Sequence, residues 1–112
     1  MATPLNVFKT VTKELTTADS DVYTAPVNNT GIILMAQVSN ITSSEATVTF
    51  SHYDSDTSTQ TELVKDFSIA GNDANSVVTG KMVLESGQKV KAQASANSTL
   101  KLTLSILESL NG

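Results

Sequence analysis

Side chains capable of chemistry are few in this 112-residue chain, and their spacing is poor. Asp54-Ser55-Asp56-Thr57 sets two carboxylates two residues apart, as a calcium loop begins, because hard cations gather oxygen ligands from alternate positions of a turn. The glycine and the distant glutamate that complete such a loop are missing, so the stretch reads as a solvated polar loop. His52 is the only histidine, and neither a metal site nor an acid–base pair can be built around it without partners at a defined spacing. Asn28-Asn29-Thr30, Asn40-Ile41-Thr42 and Asn97-Ser98-Thr99 match the glycosylation pattern; in a chain this rich in Asn, Ser and Thr they read as turns. Tyr23, beside Pro26, reads as a packing residue at the end of the domain rather than a ligand-stacking ring. There is no nucleophile with a base, no glycine-rich phosphate loop and no paired carboxylates. The sequence therefore predicts no catalytic residue, no metal, no cofactor and no enzyme.

Bulk properties narrow the partners. Net charge is −4 and every one of the seven basic residues is lysine. Nucleic acid and anionic membrane both ask for a basic patch, and phosphate recognition favours the arginine fork, so neither is an expected partner. Cysteine is absent, which excludes a disulfide framework and thiolate metal sites. Met1 to Asn6 lacks a basic start followed by an apolar run, and no apolar stretch approaches the roughly 20 residues of a membrane helix, so synthesis in a cytoplasm is the expectation.

The elements that would position these residues are strands. Leu100, Leu102, Leu104 and Ile106 alternate with Lys101, Thr103 and Ser105, the period of two of a strand with one buried face. Val90, Ala92 and Ala94 repeat it in the strand before, across the turn Glu85-Ser86-Gly87-Gln88. Upstream, strands are expected at 7–15, 21–26, 32–38, 46–53, 61–69 and 76–84, with Pro4 before or at the edge of the first and a tail over Leu110-Asn111-Gly112. In the fourth, Val48, Phe50 and His52 share one face; in the fifth, Leu63, Phe67 and Ile69 are in phase around Lys65. No segment reads as a helix; the nearest, Val11 to Asp19, is threonine-rich and uncapped. About eight short strands with turn signals between them predict an all-β chain, a two-layer antiparallel β-sandwich of jelly-roll or Greek-key type. Residues 1–16 are read as an N-terminal strand or arm and 17–112 as the sandwich domain.

Ile32 to Val38 is the most continuously apolar run. A strand apolar on both faces is buried on both, and in so small a domain the second cover is expected to be another chain. Alternation then nominates Ile33, Met35 and Gln37 as the oligomer interface.

The order of pieces also carries a resemblance. Val22-Tyr23-Thr24-Ala25-Pro26 leads to Ile32-Ile33-Leu34-Met35-Ala36-Gln37-Val38-Ser39-Asn40, then Ala46-Thr47-Val48-Thr49-Phe50. Gly80-Lys81-Met82-Val83-Leu84-Glu85-Ser86-Gly87-Gln88-Lys89-Val90 and Leu104-Ser105-Ile106-Leu107-Glu108 follow. Over residues 17 to 109 this resembles a class of small structural proteins of tailed bacteriophages, common in marine and cyanobacterial phages. Gly87-Gln88 departs from the Gly-Asp usual there, a change expected to be harmless because both give a polar turn. The resemblance implies a non-enzymatic virion component, a symmetric oligomer and by analogy a homotrimer, docked on capsid, neck or tail beside other virion proteins. The alternative is a tail or baseplate module that binds a host receptor or glycan through Ser39–Glu45 and Asp54–Gln60.

Overall fold

The computed structural model describes residues 6–110 apart from residue 79. Pro4, Asn111 and Gly112 therefore lie outside the described residues. Nine strands follow one another: β1 (Asn6–Glu14), β2 (Ser20–Thr24), β3 (Asn29–Asn40), β4 (Ala46–Asp54), β5 (Thr59–Ile69), β6 (Ala74–Ser76), β7 (Met82–Leu84), β8 (Lys89–Ala94) and β9 (Leu100–Leu110). One sheet runs β1-β9-β3-β6 with β7 also on β3, the other β2-β8-β4-β5, and every pairing is antiparallel.

β6 and β7 are two pieces of one broken edge, since β6 pairs with Gln37–Ser39 and β7 with Gly31–Ile33 of the same strand. Counted together they leave eight strands in two layers, a jelly roll in which chain connections pass from sheet to sheet except at the β4–β5 hairpin. The single strand expected over 76–84 is thus corrected to two. Val77 turns into the core between them and its N–H bonds Ala36 O at 3.0 Å, while Gly80 takes a positive φ of 85°.

The alternation of β9 is realised in full: Leu100, Leu102, Leu104 and Ile106 point inward and are at most 1% exposed. They meet Ile33, Ala36 and Val38 of β3 along their own sheet, and Val48, Phe50, Val90 and Ala92 belong to the same core from the facing one. Each large aliphatic side chain buried this way contributes roughly 1.5 to 3 kcal/mol of transfer free energy. Small Ala36, Ala92 and Ala94 sit among larger neighbours, which lets the layers interdigitate.

Bulges in β3 and β5 change which residues face the core. In β3, Ile33 pairs with Ile106 and Met35 with Ser105, so Leu34 is an extra residue. In β5, Lys65 and Asp66 together oppose Thr49, Asp66 takes a φ of 51°, and its N–H bonds Thr49 Oγ1 at 3.1 Å. The inward set on β5 is therefore Val64, Phe67 and Ile69, and Leu63, expected in phase with them, is 40% exposed.

Candidate functional site

The residues with chemical potential are spent on structure. His52 projects from β4 with Nε2 3.1 Å from Gln88 Oε1, and that same oxygen accepts the Glu85 N–H at 3.0 Å. Because the amide oxygen can only accept, the imidazole nitrogen facing it carries the proton. Gln88 is 8% exposed. It is more than a polar turn residue, for its long amide joins the β7–β8 turn to β4, a span the shorter side chain of aspartate would not match. Asp54 accepts the Asp56 N–H at 2.9 Å, closing its own turn, and Ser55 Oγ donates to Gly87 O at 3.0 Å. Among the described residues, no three His, Cys, Asp or Glu side chains come together as metal ligands.

Asn40 is the clearest case. It is 3% exposed, and Nδ2 donates to Ser44 O at 2.8 Å and Ile69 O at 3.0 Å. Oδ1 accepts from Thr42 N at 2.9 Å and Thr42 Oγ1 at 2.8 Å. The side chain is fully satisfied, which accounts for its burial, and it is a loop organiser rather than an exposed glycan acceptor. Asn97 Oδ1 accepts the Thr17 N–H at 2.9 Å, and Asn28 sits at a φ of 65° in the β2–β3 turn. The loops Ser39–Glu45 and Asp54–Gln60 flank β4 at its two ends, so they do not converge on one binding surface.

At the β2 end of the sandwich, Tyr23 donates its hydroxyl hydrogen bond to the Glu108 carboxylate, and Lys9 Nζ lies 3.1 Å from the other Glu108 oxygen. Burial, the hydrogen bond to Glu108 and the charge of that carboxylate push the Tyr23 hydroxyl well above the usual tyrosine range, so it stays protonated. Glu108 occupies the inward phase of β9 and is 6% exposed. The ring also packs on Gly31, where a Cβ would lie 3.0 Å from the Tyr23 oxygen. The triad ties β1 and β9 of one sheet to β2 of the other.

What remains is a surface. On the outer face of the five-stranded sheet, register aligns Phe8 of β1 with Leu107 of β9, Leu107 with Ile32 of β3, and Ile32 with Val83 of β7. Directly opposed residues on one face touch, so these four make an apolar row across the whole sheet. Phe8 is 74% exposed and Val83 56%. The next rows are Thr10-Ser105-Met35 and Thr12-Thr103-Gln37; charge enters only at Glu14 and Lys101, which pair side by side at one end. Leu34 lines a shallow depression of about 200 Å³ with Phe8, Thr10 and Ser105.

Of the nominated interface residues, Met35 and Gln37 lie on this face and Ile33 does not. Ile33 is fully buried in the core, because the extra Leu34 shifts the phase, and Ile32 stands outward in its place. Phe8, Leu107 and Val83 were not nominated. A signal exists for Leu107, an apolar residue in the otherwise polar phase Lys101, Thr103, Ser105, Ser109 of β9.

No protein-family model and no curated protein matches this chain. Solved structures do. A subunit of the disulfide-linked pili formed by Bacillus endospore appendages superposes with a TM-score of 0.58 at 10% identity, over 96% of this chain and 88% of that one. The acid-stable capsid of Helicobacter pylori bacteriophage KHP30 gives 0.58 at 10% identity, over 97% and 90%. VP2 of the infectious bursal disease virus subviral particle gives 0.51 at 11% identity, over 96% of this chain and 33% of its own. The chain shares its fold with virion and pilus subunits. At such identities the likeness is one of fold, and this chain has no cysteine with which to make the pilus-type disulfide.

Proposed function

We propose that this protein is a non-enzymatic structural component of a virion, of the tailed-phage accessory kind, acting as a homotrimer docked on the capsid or neck. The observation that carries the reading is the sparsely charged outer face, whose four-strand apolar row includes Ile32 of β3 and whose next rows include Met35 and Gln37 of the same strand. Contiguous apolar surface of this kind marks association sites on otherwise polar proteins. The jelly-roll fold shared with a phage capsid over nearly the whole chain supports it, as does the resemblance of the strand motifs to small phage structural proteins. Its location is the particle, and its partners are copies of itself and other virion proteins; neither nucleic acid nor membrane fits a chain of net charge −4.

The test is quantitative mass spectrometry of purified particles from the source that encodes the chain. The expected result is the intact chain in a copy number that is a multiple of three per particle. Its absence from washed particles would overturn the proposal.

A further inference from the structure

Four elements stand at sheet edges: β1, β2, β5 and the broken β6–β7 pair. Three of them help to close the core. Tyr23 on β2 is buried, and Ile69 on β5 and Leu84 on β7 are fully so. β1 is the exception. None of its side chains is buried, and Val11 alone among them packs, partly covered, against the core. What holds β1 is its ladder to β9, in unbroken register from Asn6–Ser109 to Glu14–Lys101, together with the Lys9–Glu108 ion pair. The chain is pinned where β1 ends. Leu15 is fully buried with its N–H on Leu100 O at 2.9 Å, Thr16 O accepts the Ala94 N–H at 2.8 Å, and the Thr17 N–H bonds Asn97 Oδ1.

We infer that β1 is exchanged between copies: it swings out about Glu14 and Leu15 and lies on β9 of the next chain, whose own β1 has moved on in turn. This rests on the reading of the chain as a self-assembling oligomer and names the element that joins the copies. The occupant of the vacated β9 edge is identified by what fits that edge within one chain. An open edge strand is a template for one more strand, and β1 is the sequence that pairs with it in register. The partners travel with the register: Lys9 meets Glu108, Glu14 stands beside Lys101, and Lys13 lies opposite Leu102 whichever chain supplies β9. Contacts given up within a chain are remade between chains, which makes exchange of an identical element a low-cost route to an oligomer. The core stays closed, because no buried side chain leaves with β1. Reach is sufficient as well. Nine extended residues span about 30 Å, against shorter molecular dimensions of 28 and 22 Å. Donation from each chain to the next closes as a ring, and it carries Phe8 of one copy into the apolar row of its neighbour.

The native chain has no cysteine, so an introduced pair reports which chain supplies the strand. Thr12 and Thr103 are directly opposed on the outer face, within the span of a disulfide. The full-length double variant Thr12→Cys/Thr103→Cys is oxidised at a concentration where light scattering shows the oligomer, then run on a denaturing gel without reductant. The expected result is that most chains are joined to one another, up to three together, and that reductant returns them to single chains. Single chains closed by an internal disulfide, from a sample that is oligomeric in scattering, overturn the inference and leave self-association standing. Equal linking by Thr12→Cys or Thr103→Cys alone overturns it too, since β1–β9 pairing would then not be the source of the links. Wild-type protein that is itself a single chain removes the oligomer reading and the inference with it. Should the double variant not fold, Thr10→Cys/Ser105→Cys, the next opposed pair, repeats the experiment.

Discussion

At the scale of single residues, the polar side chains of this protein are explained by what they hold together. Asn40 makes four hydrogen bonds, and its truncation leaves the buried Ile69 carbonyl without this donor and the loop from Thr42 to Ser44 without its tie. Asn40→Ala should lower stability by roughly 2 to 4 kcal/mol in denaturant unfolding. Ser51 is the opposite case, buried with no partner for its hydroxyl among the described residues, so Ser51→Ala should be neutral within about 0.5 kcal/mol or stabilising. Tyr23 sets an alkaline limit. Above the ordinary tyrosine pKa of about 10 the unfolded chain has released this proton and the folded chain has not, so the folded state binds more protons and stability falls as pH rises. Tyr23→Phe should flatten that decline in a pH series of melting temperatures, relative to wild type. In the sequence these roles were only half visible. His52 could be read as structural because it lacks partners in the pattern, but its link to Gln88 spans 36 residues and no local spacing announces it. Glu108 sits in the buried phase of β9, a signal readable beside Leu104 and Ile106, whereas its partners Tyr23 and Lys9 meet it only through the jelly-roll crossings.

Among the elements, legibility followed regularity. β9 and β8 were plain because each strand is half-buried along its length, so burial writes a period of two into the sequence. Leu104→Asp would put an unpaired charge at a fully buried site and should abolish cooperative folding, while Thr103→Ser, one residue along, should cost less than about 1 kcal/mol. β3 misled for a physical reason. A bulge adds a residue without breaking the strand, so Ile32 to Val38 reads as apolar on both faces when it is in fact two regular stretches out of phase. Deleting Leu34 should restore a continuous ladder, with Ile33 and Ala36 still inward, and yield a protein that melts cooperatively. Loss of folding on that deletion would show the bulge to be required. The free edges are also managed unequally. β1 turns Lys9 and Lys13 toward the inside of its edge, and β5 carries a bulge with Lys65 and Asp66, both devices that discourage open-ended strand pairing. The β5 side also keeps an apolar slot lined by Leu63, Val64, Phe67 and Met82, with Lys81 beside them.

For the whole molecule, the fold class was legible from strand count and turn spacing, and the two four-stranded layers realise it with one strand split in two. The outer apolar row was legible only in outline, because it is composed of single residues from β1, β9, β3 and β7 that register alone brings into line. On the outer face this acidic chain carries only the opposite charges Glu14 and Lys101 among the strand residues described, so the face has no net charge. Light scattering coupled to size exclusion on the purified chain, over a range of micromolar concentrations, tests whether this face joins copies of the protein. The proposed homotrimer runs with the mass of three 11.8-kDa chains. A single 11.8-kDa chain at every concentration would contradict it.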